Sequence, residues 1–172
     1  MGTVSAVRGL VAALAVAVAL VLQVTVFPHL AFEGIVPNLC LLVVVGAALT
    51  RGPQFAVVLG FLAGVALDLA PPADHVAGRW ALALVVVGWL AGRMRQDVKP
   101  TATTVVATVA ASSFVGTSIF AISGLVLRDP ALGVPDLLRV ILVAVVWDVL
   151  LTPFVLPLLM RMFHRLEPAR TA

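Results

Sequence analysis

GFLAGVALDLAPP, residues 60 to 72, is an apolar run that ends in an acid and two prolines. Gly60, Gly64 and Asp68 are spaced four apart, so a helix would place them on one face. The two glycines form a small-xxx-small pair of the kind that lets a second helix approach closely. Asp68 fits neither a lipid-facing surface nor an ordinary packing face. At the centre of a bilayer such a group costs about 2.5–3.5 kcal/mol, so it must face protein, water or the interface. Pro71 and Pro72 cannot continue the helix.

The rest of the chain decides which solvent this helix sees. Of 172 residues, 62% are hydrophobic and 11% charged, too few charges to coat a soluble domain of this size. The mean hydropathy of +1.18 points the same way. The sequence predicts an all-α polytopic membrane protein, a single integral domain over residues 1–172, with the lipid bilayer as solvent. Six apolar segments cover about residues 10–27, 36–50, 54–70, 76–92, 102–127 and 137–160. The second covers only ~22 Å at about 1.5 Å per residue. It is expected to span a thinned bilayer or to borrow turns from its flanks. The first segment, behind Arg8, has signal-peptide features but continues to Phe27, and an uncleaved span is the expectation.

Charge sets the orientation. With the N-terminus inside, Arg8, Arg51, Arg93, Arg95, Lys99, Arg161, Arg165 and Arg170 fall on the cytoplasmic side. Arg79, Arg128 and Arg139 fall opposite, which satisfies the positive-inside rule with both termini cytoplasmic. The same basic residues lie between apolar runs, which argues against a nucleic-acid partner. The lone Cys40 excludes an intramolecular disulfide and a paired-thiolate metal site. No metal, cofactor or catalytic residue is predicted, since no P-loop, G-x-S-x-G, H-E-x-x-H or G-x-G-x-x-G occurs.

Several polar residues interrupt the apolar segments. Asp148, about twelve residues past Asp136, lies ~18 Å into the last segment, where an inward-facing role is the default. Pro153 and Pro157 are expected to bend that segment and free carbonyls. Arg139 is expected to snorkel outward. Thr104, Thr108, Ser112 and Gly116 recur every fourth residue on the fifth segment. They read either as close packing with hydroxyls bonded one turn back or as the wall of a polar pocket. Gln23, Asp68, Thr108, Ser112 and Asp148 are the candidates for such a pocket. Asp68 itself reads either as an interfacial carboxyl or as the organiser of a pocket or helix contact. His75, beside Asp74, reads as a solvated loop residue or as a pH-sensitive outer contact. The words VPNL at 36–39 and VPDL at 135–138 suggest Asn38 and Asp136 as N-caps and hint at an internal duplication.

These pieces, in order, carry a resemblance. QVTVFP at 23–28 is followed by PNLCLLVVVGAALTRGPQFAVVLGFLAGVALDL at 37–69 and VGWLAGRMR at 87–95. From the first helix to about Phe163 the chain resembles the bacterial rod shape-determining MreD family. The strongest points are Pro37, Asn38, Leu39, Gly60, Phe61, Gly64 and Asp68; where this chain has Asn38 the family often has Asp. The resemblance implies a non-enzymatic, multi-pass scaffold of the bacterial cytoplasmic (inner) membrane. It implies an MreC-like single-span partner and a place near MreB and the RodA/penicillin-binding-protein wall synthase, where it helps position peptidoglycan synthesis. Pro37, Asn38, Gly60, Gly64 and Asp68 would then serve helix packing or partner binding. The family is similar in fold to the substrate-binding components of energy-coupling-factor transporters, which makes a polar central pocket the rival expectation.

Overall fold

A computed structural model of the chain describes residues 2–71, 75–95, 100–127 and 134–165. Among them the chain forms six α-helices and no strand: α1 (Gly2–Thr25), α2 (Leu39–Arg51), α3 (Pro53–Leu69), α4 (Arg79–Arg93), α5 (Ala102–Val126) and α6 (Val134–Arg165). A short 3₁₀ turn, Phe27–Leu30, and a tight turn closed by Phe32 and Ile35 join α1 to α2. Lys99, Arg128 and Arg170, which entered the orientation argument, and Pro72 and Asp74 lie outside the described residues.

Three helical stretches, Val7–Thr25, Ala102–Val126 and Leu137–Arg165, are long and apolar enough to cross a membrane. Helix α2 is shorter than these, with 13 residues. Every residue from Leu39 to Thr50 is buried inside the chain, so α2 is a core helix that its neighbours shield all round. That is why its sequence is apolar on every face. The other helices present stripes to it. On α1 the stripe is Ala12, Val16, Ala19 and Gln23; on α6 it is Ile141, Ala144, Asp148, Thr152, Leu156, Leu159 and Phe163. These spacings of three and four are one helical face. The outward faces of α1 and α6 stay apolar, with Leu10, Leu14 and Val18, and Leu142, Leu150 and Leu158, exposed.

A single residue, Gly52, links α2 to α3, and its φ of 85° is a conformation few side chains tolerate. Pro53 then opens α3, and the chain reverses sharply. On the way back α3 meets α4 along four glycines. A Cβ on Gly60 would strike the Leu84 carbonyl, and one on Gly64 the Ala81 backbone. Reciprocally, one on Gly88 would strike the Ala56 carbonyl and one on Gly92 the Pro53 backbone. The helices therefore touch backbone to backbone. The face that Gly60 and Gly64 offer is filled by α4 of the same chain and is closed to any partner protein. Gly88 and Gly92, the matching pair on α4, carry the same four-residue spacing in the sequence.

Helix α6 runs from Val134 to Arg165 without interruption, with Pro153 and Pro157 inside it. Both prolines sit on its exposed side, away from the buried stripe. Asp136 is inside this helix, not at its N-cap, and Val134–Pro135 are helical where Val36–Pro37 are not. The two similar tetrapeptides thus occupy different structures, and the hint of a duplication that they gave disappears.

Replacing Gly64 with Leu is expected to abolish the folded state, because the obstructing atoms are backbone and overpacking alone costs about 1–3 kcal/mol even where side chains can yield. Gly9→Ala, where a Cβ meets nothing within 4 Å, is expected to change the melting temperature little. Thermal unfolding of both variants in detergent checks the contrast.

Candidate functional site

The buried charged and amide side chains, Gln23, Asn38, Asp68, Arg79 and Asp148, gather at two helix starts. The first is the start of α2. A helix leaves its first four amides without partners inside the helix, and a buried start must find acceptors elsewhere. Asn38 is the N-cap, and its Oδ1 accepts from the Leu41 amide at 2.9 Å. Gln23, from the buried stripe of α1, accepts from the Cys40 amide through Oε1 at 3.3 Å. Asp148, wholly buried on α6, accepts from the Asn38 amide through Oδ1 at 2.8 Å. Its Oδ2 accepts from the Ser113 hydroxyl on α5 at 2.6 Å. Asp148 therefore ties α5, α6 and the entry to α2 together. Pro37 is buried just before this cap and has no amide to satisfy.

The second cluster is the start of α4. Its N-cap is Gly78, in the left-handed region, with no side chain to offer. Asp68, 3% exposed at the end of α3, supplies the missing acceptors. Oδ2 accepts from the amides of Gly78 at 2.8 Å and Ala81 at 3.1 Å. Oδ1 accepts from the Trp80 amide at 3.0 Å and lies 3.2 Å from His75 Nε2. The carboxyl group is an N-cap delivered from a neighbouring helix, at the end of the dipole that favours negative charge. His75 is not a solvated loop residue; it packs edge-on against Phe120 at 5.2 Å and touches Asp68.

Behind this cap lies a stack that sequence reasoning missed. Trp80 stacks on Phe120 with ring centroids 4.3 Å apart. The Arg79 guanidinium lies 4.0 Å over the same ring and donates through Nη2 to the Phe120 carbonyl at 2.7 Å. Gly124 makes the room: a Cβ there would collide with that guanidinium. Arg79 is 6% exposed, so it is a buried structural cation and not a loop charge. The warning in the sequence was a basic residue beside Gly78 at a helix start that lacks any capping side chain.

The pocket candidates divide. Gln23 and Asp148 meet at the α2 start, whereas Asp68 serves α4. Thr108 bonds back to the Thr104 carbonyl at 2.8 Å, and Ser112 is buried without a hydrogen-bond partner among the described residues. A Cβ on Gly116 would crowd the Val87 and Leu41 side chains, so this face of α5 packs tightly. Of the hydroxyls on α5, Ser113 is the one that reaches a carboxyl group. Arg139 does turn outward, as its length allows, and pairs with Glu33. No group of three or more metal-ligating side chains occurs among the described residues.

Against known families, one family model matches, rod shape-determining protein MreD, over residues 4–163. No curated protein and no solved structure matches.

Asp148→Leu is expected to destabilise the protein by about 2–6 kcal/mol, since two buried donors lose their acceptors at about 1–3 kcal/mol each. Asp148→Asn, which keeps one carbonyl oxygen, is expected to cost less than half of that. Chemical or thermal unfolding in detergent micelles measures both.

Proposed function

The chain belongs to the MreD family of rod shape-determining proteins, and we propose that it acts as a non-enzymatic scaffold of the bacterial cell-elongation machinery. In this reading it lies in the cytoplasmic membrane as a multi-pass protein with both termini inside. It binds an MreC-like single-span protein and helps position peptidoglycan synthesis near MreB and the RodA/penicillin-binding-protein synthase. The family match across nearly the whole chain carries the proposal.

The geometry supports a scaffold in two ways. Asp68 and Asp148, the buried carboxyl groups that a catalytic or transport reading would need, are committed to backbone amides. Diverting either would expose a buried helix start. The outward faces are apolar, so partner contacts would be made largely within the membrane through helix surfaces. Orientation is supported by the gathering of basic residues at one end of the bundle. Arg51 ends α2, Arg93 ends α4 and Arg165 ends α6, and close contacts of Pro53 with Gly92 and of Phe55 with Phe163 bring these ends together. The rival reading as a transporter's substrate-binding component loses its main supports. Its polar candidates are bonded to helix ends or packed, and α6 is unbroken.

Complementation tests the proposal. In a rod-shaped bacterium depleted of its own family member, this chain is expected to restore rods. Affinity capture from the same cells is expected to recover an MreC-like protein in near-equal amount. Round cells despite normal membrane levels of the chain, with no such protein captured, would count against the scaffold.

A further inference from the structure

Helices α1 and α3 run side by side with an apolar groove of about 450 Å³ between them. Gly9, Ala13 and Ala17 line one wall, and Phe55, Leu62 and Ala66 the other. The groove is open because α1 offers mostly small side chains there, with Gly9, Ala12, Ala13 and Ala17 among its lining residues; a Cβ on Gly9 would still meet nothing within 4 Å. Its volume suits a small ligand, for which sites run to roughly 300–1,000 Å³. Its walls extend from Gly9 to Leu20 and from Phe55 to Ala66, about 16 Å of helical rise on each side. That is one leaflet of a hydrocarbon core ~30 Å thick. A membrane-crossing partner helix would need about twice that length.

One end of the groove is basic. Arg8 precedes Gly9 on α1, and the Arg51 guanidinium lies 5.5 Å from the centroid of the Phe55 ring. Nε of Arg8 and Nη1 of Arg51 are buried and have no hydrogen-bond partner among the described residues. Neither arginine forms an ion pair among the described residues. Two guanidinium groups with unmet donors suit a phosphate, whose oxygens match their fork of N–H groups. An apolar slot one leaflet deep with arginines at its headgroup end has the charge and shape of an anionic amphiphile. Basic sites between membrane helices are a recurring means of holding such headgroups.

We infer that the groove between α1 and α3 binds one anionic glycerophospholipid, with an acyl chain in the slot and the headgroup phosphate at Arg8 and Arg51. The bound lipid satisfies the buried arginine donors and fills the open wall of α1. It also makes α1, otherwise the most peripheral helix beside the α2 core, depend on the composition of the surrounding leaflet.

Native mass spectrometry of the delipidated full-length chain, titrated with phosphatidylglycerol or phosphatidylcholine of equal chain length, tests this. The wild type is expected to retain one phosphatidylglycerol in preference to phosphatidylcholine by on the order of tenfold or more, as two basic side chains near an anionic headgroup should give. The pair Arg8→Gln with Arg51→Gln should remove the preference. Ala13→Trp, which fills an exposed part of the slot, should remove tight retention of both lipids without lowering the melting temperature in phosphatidylcholine nanodiscs. Equal retention of the two lipids by the wild type would overturn the proposal. So would phosphatidylglycerol retention that survives Ala13→Trp, or a crosslinker at Ala13→Cys that captures a protein instead of lipid.

Discussion

A helix that begins in a place water cannot reach carries amide donors that something must accept. That constraint organises this protein. Helix α2 is buried from Leu39 to Thr50, and so is its cap residue Asn38. Gln23 on α1, Asn38 at the cap and Asp148 on α6 converge there because three amides need them. Each bond adds a fixed distance between elements far apart in the chain. Asp148 and Asn38 are separated by 110 residues, so their bond also sets how α6 docks on α2. The same solution recurs at α4, where Gly78 has no side chain and Asp68 reaches across from α3. In a low-dielectric interior these bonds are stronger than in water, and their loss is correspondingly costly.

Packing completes what capping begins. The glycine contact between α3 and α4 brings the two backbones together and so places the Asp68 side chain within reach of the α4 amides. Gly124 gives Arg79 its place against Phe120, and that stack holds the start of α4 from the other side. A protein of rod shape determination built this way has little freedom in its core. The surface it leaves open is the apolar outside of the helices.

Much of this was legible in the sequence. Hydropathy marked the helices, and the spacing of Gly60, Gly64 and Asp68 put them on one face. Asn38 was recognisable as a cap because Pro37-Asn38 precedes an apolar run. The partners were not legible, because a capping acceptor from another helix leaves no local signal. Asp68 looked like an interfacial acid or a pocket mouth until the start of α4 was seen to need it. The enclosure of the second segment was hidden for a related reason: its apolar composition is legible, but only the neighbours show that it is surrounded by protein. Asp136 looked like a second Asn38, yet α6 begins before it. The prolines of α6 leave the helix continuous and lie on its exposed side, where lost hydrogen bonds disturb the core least.

The central claim is that Asp148, Gln23 and Asn38 close the buried start of α2 by accepting its amides. Hydrogen–deuterium exchange of the protein in lipid nanodiscs, resolved to the amides of Asn38, Cys40 and Leu41, tests it most directly. The account expects these three to exchange as slowly as the middle of α2. Rapid exchange at these amides in the folded protein, as at a frayed helix end or a hydrated cavity wall, would contradict it.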